Sequence, residues 1–181
     1  METKTVLAVA YEDLRFPASQ FRVNPVTLKP DIGVFIGGVE TLLFDPDADE
    51  SVMVLAQMSH GWKIGTSITP HVHWSPATTD AGTVRWGLEY TIADAGGVFG
   101  ATDTIYVEQA SDTTIGKHQK AFFSQIDMSA FTGLSCMILM RLFRDANNVA
   151  DTLPVDVPLL EFDIHYQRDD NGSETPSTKY S

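Results

Sequence analysis

Cysteine is almost missing from this chain, and its scarcity excludes two kinds of site. Cys136 is the one cysteine among 181 residues, so neither an intrachain disulfide nor a zinc site of several cysteines is possible. Cys136 lies in an apolar, strand-like segment, which is typical of a buried, unreactive thiol rather than a nucleophile. A Gly-X-Ser-X-Gly motif is also lacking, and we predict no catalytic residue.

Basic residues are scarce as well, and they are not clustered. The chain has 12 Lys and Arg against 24 Asp and Glu, which gives a formal net charge of −12. Binding to phosphates needs grouped positive charge, so we expect no direct nucleic-acid partner. No apolar run approaches the roughly 18–20 residues that span a bilayer, and we therefore expect no membrane partner and synthesis in the cytoplasm.

Helical periodicity is the third absence. No segment keeps an apolar period of 3.6 residues over three turns, whereas short segments with strand-like patterns recur between Gly, Pro and Asp turns. They are residues 34–36, 40–44, 51–58, 68–75, 83–92, 103–109, 119–126, 135–143 and 159–168. The pattern predicts an all-β chain, folded as a single antiparallel β-sandwich or jelly roll.

The pattern also divides the chain into three parts. Residues 1–33 are rich in X-Pro steps, which disfavour helix and predict an extended N-terminal arm. Residues 34–168 form the predicted β-sandwich domain. Residues 169–181 are polar and predict a frayed C-terminal tail. Within the domain, the nearly continuous apolar run at 51–58 predicts a strand that is buried on both faces.

Residues 60–76 hold two of the three tryptophans and three of the five histidines. Alternation in the second half of this stretch predicts a strand with Val72 and Trp74 on its apolar face. His71 and His73 then lie side by side on the opposite face. Whether this histidine pair binds an ion or lies on a solvent-exposed surface depends on which strand lies next to it.

The last strand-like segment offers possible partners, because Glu161, Asp163 and His165 share one face at a spacing of two residues. If the two strands pair, His71, His73 and His165 with Glu161 or Asp163 would form a nitrogen–oxygen site for iron, manganese or zinc. The alternative is that both polar faces meet water or another subunit. The sequence favours this alternative, so we predict no metal ligand and no cofactor.

The tryptophans have two possible roles, core packing or contact with a carbohydrate. Trp74 and Trp86 both take inward positions on alternating segments, which indicates core packing. Trp62 lies in the loop before the strand and is the tryptophan best placed for contact with a partner.

The spacing of Gly65, His71 and His73 resembles the opening of the first cupin motif, in which a glycine precedes an HXH pair on a barrel strand. The cupin pattern then requires a glutamate, but this chain has Ala77 and Thr78 in that region, and the second cupin motif is missing. The resemblance implies a β-barrel and, as an alternative function, a cupin-like metal-dependent enzyme.

Five blocks of sequence are spread over most of the chain. They are residues 12–18 (EDLRFPA), 58–66 (MSHGWKIGT), 70–74 (PHVHW), 86–90 (WGLEY) and 159–166 (LLEFDIHY). Together, and in this order, they resemble a group of poorly characterised proteins encoded among the structural genes of tailed bacteriophages and prophages. The resemblance implies a virion component and supplies no catalytic residues.

We therefore predict a non-enzymatic virion protein, made in the host cytoplasm, that decorates the capsid as a cement subunit. Its predicted partners are the major capsid protein and further copies of itself, in a homotrimer. The predicted interface residues are Leu14, Phe16 and Phe21 of the arm with His60 and Trp62 of the loop. Besides the cupin-like enzyme, the alternative is a neck, tail, fibre-associated or receptor-binding subunit of the virion.

Overall fold

The computed structural model describes residues 9–23, 28–169 and 172–179, and these residues contain twelve β-strands. The strands are β1 (Ala10–Pro17), β2 (Asp31–Ile36), β3 (Val39–Phe44), β4 (Ser51–Gln57), β5 (Ile68–Trp74), β6 (Thr83–Ala93), β7 (Asp103–Ala110), β8 (Gln119–Phe122), β9 (Met137–Arg144), β10 (Val157–Arg168), β11 (Ser173–Thr175) and β12 (Thr178–Lys179). The only helical element among them is a 3-10 turn at Ala18–Gln20. No helix in these ranges is long and apolar enough to cross a membrane.

The strands pack as two antiparallel sheets, so the predicted all-β fold is confirmed. One sheet has the order β2-β3-β10-β5-β8, with β1 also paired to β10, and the other has the order β4-β9-β6-β7. From β3 to β10 the chain passes repeatedly between the sheets, and these eight interleaved strands make a double-sheet jelly roll. β11 and β12 form a separate small hairpin.

The core lies between the two sheets and is built from the inward positions of the alternating strands. Trp74 and Trp86 are fully buried there, as predicted, and the ring of Phe44 meets Trp86 edge-on at a centroid distance of 5.1 Å. Cys136 is also buried, and burial raises the pKa of its thiol to about 12. The thiol is therefore neutral at physiological pH, which agrees with the expected unreactive cysteine.

The predicted N-terminal arm is wrong for residues 10–17, because they form β1 and pair with β10 over their whole length. Leu14, Phe16 and Phe21, which were predicted to reach a neighbouring subunit, instead pack against the core of their own domain. The alternation of these apolar residues with polar ones is that of a half-buried strand. Residues 1–8 and 24–27 of the predicted arm lie outside the described residues.

Two further predictions need correction. The supposed tail contains the β11–β12 hairpin, and Lys179 at its end lies 3.0 Å from the Asp169 carboxylate; residues 170–171 and 180–181 lie outside the described ranges. β4 is buried on one face rather than two, since Met53 and Leu55 are exposed. β4 is an edge strand with only its inner face against the opposing sheet.

Arg144, the last residue of β9, is buried at the end of the sandwich beside the loop that leads to β10. The Arg144 guanidinium is fully buried and forms a two-point ion pair with Asp151, with N–O distances of 2.8 and 3.0 Å. It also donates to the carbonyl oxygens of Phe44 and Val155 at 3.0 and 2.8 Å, and to that of Leu153. These bonds fix the loop before β10 and therefore the position at which β10 begins.

We predict that Arg144→Ala lowers the free energy of unfolding by about 3–5 kcal/mol, because it leaves the buried Asp151 carboxylate without its partner. The measurement is equilibrium unfolding in urea. Arg141→Ala on the same strand is the matched control, since its ion pair with Glu89 is partly exposed and should contribute only about 0.2–1 kcal/mol. Equal losses in the two variants would contradict the assigned role of Arg144.

Candidate functional site

The two strands that carry the candidate ligands are direct neighbours. β5 pairs with β10 so that His71 lies opposite Asp163 and His73 lies opposite Glu161. Val72 on β5 points into the core with no exposed surface, so the histidines on either side of it must point to the outer face of the six-stranded sheet. The strand pairing on which the predicted site depends is therefore present.

Three of the candidate side chains converge on this face. The Nε2 atom of His73 lies 3.2 Å from Oδ2 of Asp163, and Nε2 of His71 lies 3.6 Å from the same oxygen. The two imidazole rings are 4.9 Å apart between centroids. His71, His73 and Asp163 can each offer one ligand atom within 4.8 Å of the others. We call these three residues the His–Asp cluster.

The cluster is buried although it lies on the outer face of the sheet. His71 is 4% exposed and Asp163 is 3% exposed. The ring of Phe122 on β8 stacks on His71 at 4.9 Å and covers it from one side. The positions beside Asp163 on β1 and beside His73 on β8 are taken by Arg15 and Lys120, whose long aliphatic stems can shield the cluster while their charges stay in water.

Several polar atoms in this region lack a hydrogen-bond partner among the described residues. They include Nε2 of His73, Oδ1 of Asp163 and Oε1 of Glu161. The second carboxylate oxygen of Glu161 accepts a hydrogen bond from Arg15 at 2.9 Å. Buried polar groups are nearly always hydrogen-bonded or bound to an ion or water, so these three atoms mark a place where an ion or a water molecule would supply the missing partners.

His118 orients the cluster and was not found by sequence reasoning. Its Nε2 atom lies 2.6 Å from Nδ1 of His73, and the two rings stack at 4.8 Å. When Nδ1 of His73 donates to His118, the other ring nitrogen keeps its lone pair and faces Asp163. The sequence feature that could have indicated His118 is its two-residue spacing from Lys120 and Phe122, which places the three side chains on one face of the β8 segment.

Burial determines the charge state of the cluster. Burial raises the pKa of Asp163 to about 7, with a further contribution from the carboxylate of Glu161. Burial also lowers the pKa of His73 to about 4, helped by repulsion from His71, and lowers the pKa of His71. All three shifts disfavour charge, so in the ligand-free protein neutral imidazoles meet a carboxyl group that is protonated at mildly acidic pH.

His165 does not join the cluster. It lies opposite Thr69 on β5, and its Nδ1 atom is 2.7 Å from the carboxylate of Asp13 on β1. The ring of Tyr11 stacks on the imidazole at 4.9 Å. The cluster thus contains two of the three candidate histidines and Asp163, and Glu161 lies next to it in the strand register.

The glycine and the loop before β5 have structural roles. Gly65 has a φ of 78°, in the left-handed region that favours glycine, so the turn explains its presence. Trp62 is 1% exposed and donates its indole N–H to the carbonyl oxygen of Thr66; its prediction as an interface residue is wrong, because its side chain is in the core. His60 is half-buried between the hydroxyl groups of Ser135 and Ser173, at 2.9 and 2.7 Å.

A second feature lies at the edge of the same sheet. Four apolar side chains of the β2–β3 hairpin are between 53% and 73% exposed: Ile32, Val34, Ile36 and Val39. We call this surface the apolar hairpin. Ile32 lies opposite Leu42, whose side chain is buried in the core, so Ile32 faces the same side of the sheet as the core. Its exposure shows that the four-stranded sheet does not cover the hairpin.

Comparisons with known proteins give only distant structural likenesses. No protein-family model and no curated protein matches the chain. A family 35 carbohydrate-binding module from Cellvibrio japonicus Abf62 has a TM-score of 0.45 and 13% identity, covering 87% of this chain and 99% of that one. A family 35 module from Clostridium thermocellum has a TM-score of 0.39 and 9% identity over 83% of this chain and 97% of that one.

A viral structure is similarly distant. A chain in the structure of infectious bursal disease virus, Gx strain, has a TM-score of 0.43 and 12% identity. The match covers 90% of this chain but only 34% of the viral one. Likenesses at this level assign no function to the chain.

We predict that Asp163→Asn becomes more stable relative to the unchanged protein as the pH rises from 4 to 8, with EDTA present. The folded-state pKa of about 7 lies above the ordinary value of 3.8. The folded protein therefore holds an extra proton in this window, and the stability that Asp163 contributes is lost as the pH rises. Asparagine has no such proton. Urea unfolding at several pH values measures the difference.

Asp127→Asn is the control for this experiment. Hydrogen bonds from Ser129 lower the pKa of Asp127, so its contribution to stability is present above its ordinary pKa and is lost as the pH falls. Because that loss occurs at and below the ordinary value of 3.8, the difference between this variant and the unchanged protein should stay nearly constant from pH 4 to 8. A flat difference for Asp163→Asn would contradict the raised pKa of Asp163.

Proposed function

We propose that the chain is a structural subunit of a bacteriophage virion, which decorates the capsid as a homotrimer bound to the major capsid protein. The structural observation that carries this proposal is the apolar hairpin at the edge of the six-stranded sheet. The sequence blocks that resemble phage structural proteins support the same role. The proposal gives the chain no catalytic function.

The apolar hairpin has the properties of an assembly surface. Within the described residues β2 pairs only with β3, so the other edge of β2 has backbone groups available to a neighbour. Soluble proteins usually protect such edges with charges, prolines or a covering segment. Several exposed apolar side chains at this place are typical of a protein–protein contact, and an open edge can also add a strand from a partner.

In a trimer, the apolar hairpin of one copy would contact a different surface of the next copy. Such head-to-tail contacts close into a ring when the rotation between copies allows it. Full burial of an exposed apolar side chain is worth about 1.5–3 kcal/mol before the cost of association, and each side chain of the hairpin would contribute less than this because it is already partly buried. The net charge of −12 suits docking of the assembled ring on a basic protein surface.

We predict that Val34→Asp prevents self-association, because it replaces an exposed apolar side chain of the hairpin with a second carboxylate beside Glu40, its partner in the strand register. Light scattering after size exclusion should give about three times the 19.9 kDa chain mass for the unchanged protein and a single chain mass for the variant. Val149→Asp is the matched control, since Val149 is 95% exposed and lies in the loop between β9 and β10 rather than in the hairpin. An unchanged protein that is monomeric at all concentrations, or a trimeric Val34→Asp variant, would refute the assembly surface.

The location of the chain tests the virion role separately. Gold-labelled antibodies against the purified chain, applied to intact virions of the phage that encodes it, should label the head evenly. Virions from a deletion mutant are the control for specificity. Label confined to the neck, tail or fibres would replace capsid decoration with the alternative virion position. Virions that carry the gene but bind no antibody, and contain none of the chain by mass spectrometry, would overturn the virion role.

A further inference from the structure

We infer that the His–Asp cluster is a binding site for one divalent transition-metal ion of the zinc and iron type. The site lies on the outer face of the six-stranded sheet, between β5 and β10, and does not include the apolar hairpin. The inference is therefore independent of the proposed virion role. Nothing in it requires the chain to be an enzyme.

The donor atoms match this class of ion. Two imidazole nitrogens and one carboxylate oxygen suit zinc, iron and manganese, and all three residues come from adjacent, rigid strands. Bonds from zinc to such ligands are about 2.0–2.2 Å long, so two ligands at a tetrahedral angle lie about 3.3–3.6 Å apart. The Nε2 atoms of His73 and His71 lie 3.2 and 3.6 Å from Oδ2 of Asp163, which fits these values. All three ligand atoms lie within 4.8 Å of one another, so side-chain rotation would complete the geometry.

The hydrogen-bond pattern leaves these atoms free for an ion. Asp163 is 3% exposed, and neither its Oδ1 atom nor Nε2 of His73 has a hydrogen-bond partner among the described residues. Burying polar atoms without partners is unfavourable. A cation bound between the histidines and Oδ2 of Asp163 would give Nε2 of His73 the partner it lacks, and it would also satisfy Oδ1 when the carboxylate binds through both oxygens.

His118 has the place of a positioning residue for such a site. Histidines that bind metals commonly donate their other ring N–H to a nearby acceptor, which fixes the ring and its tautomer. Nδ1 of His73 and Nε2 of His118 are 2.6 Å apart, so His118 can accept this proton. The lone pair on Nε2 of His73 then faces Asp163 on the far side of the ring.

The surrounding charges are compatible with a cation. Glu161 lies opposite His73 in the strand register, and its Oε1 atom is buried without a partner among the described residues, so we take it as the candidate for a fourth ligand. Asp13 adds a further negative charge, whereas Arg15 and Lys120 are positive. The near-complete burial of the cluster is that of a closed, structural metal site. The ion would connect β5 to β10.

The test uses the full chain, purified without a histidine tag and stripped with a chelator. The protein is then dialysed separately against Zn²⁺, Fe²⁺ under anaerobic conditions, and Mn²⁺, and the bound metal is measured by mass spectrometry. We expect close to one ion per chain with at least one of these metals, together with a higher melting temperature. Bound metal well below one per chain with all three would overturn the inference without any need for a variant.

Variants then place the ion. His73→Gln and Asp163→Asn keep nearly the same side-chain volumes, and each should reduce the bound metal to near zero while the circular dichroism spectrum stays unchanged. His165→Gln is the matched control, since this histidine lies outside the cluster, and it should keep one ion per chain. Retention of the ion by both cluster variants, or its loss from the control, would refute the site.

His118→Ala separates positioning from ligation. It should keep the stoichiometry at saturation but weaken the affinity by roughly 10–100-fold, the range measured when second-shell partners of metal ligands are removed. Competition with a chromophoric chelator measures the affinity. The visible absorption of the Co²⁺-substituted protein should also change shape, because the ring of His73 is no longer fixed. An unchanged affinity and spectrum would remove His118 from the site.

Discussion

The pairing of β10 with its neighbours is the interaction on which the rest of the structure depends. β10 bonds to β1 and β3 along one edge and to β5 along the other. One face of this strand supplies Phe162 and Ile164 to the core. The other face carries Glu161 and Asp163 to the histidines of β5. The core and the His–Asp cluster therefore depend on the same strand register.

That register brings together groups that burial disfavours in charged form. A shift of one residue between β5 and β10 would turn His71 toward the core and expose Val72, so the hydrophobic face fixes the polar one. Burial disfavours the charged forms of the groups on the polar face, which raises the pKa of Asp163 and lowers the pKa of His73. An arrangement of this kind persists because the packing on the opposite side of the sheet holds it in place.

The sequence predicted where the strands lie much better than which strands pair with each other. Alternation along single segments located β5, β6 and β10, and the face shared by His71 and His73, because side-chain direction in a strand is a local property. Pairing is non-local, so the exclusion of His165 from the cluster and the contact between His118 and His73 could not be derived from local pattern. β1 was missed because its polar positions and its proline masked the alternation of Leu14 and Phe16.

The error over Trp62 has a different physical cause. A large side chain in a loop was assumed to face outward, but the loop folds back on the sheet, and Trp62 forms a backbone bridge with Arg168. Burial of such a loop is possible because its polar groups find partners, among them the Thr66 carbonyl oxygen. Local pattern does not reveal whether a loop has such partners.

The position of β10 in the chain has a consequence for how the protein is made. Asp13 of β1 meets His165 of β10 across 152 residues, and Thr41 of β3 donates to Leu159 across 118. The strands β1, β3 and β5 emerge from the ribosome long before the strand that joins them, and such distant contacts form slowly. During translation the apolar hairpin is thus exposed on an incomplete sheet, which is the condition in which nascent chains aggregate or need chaperones.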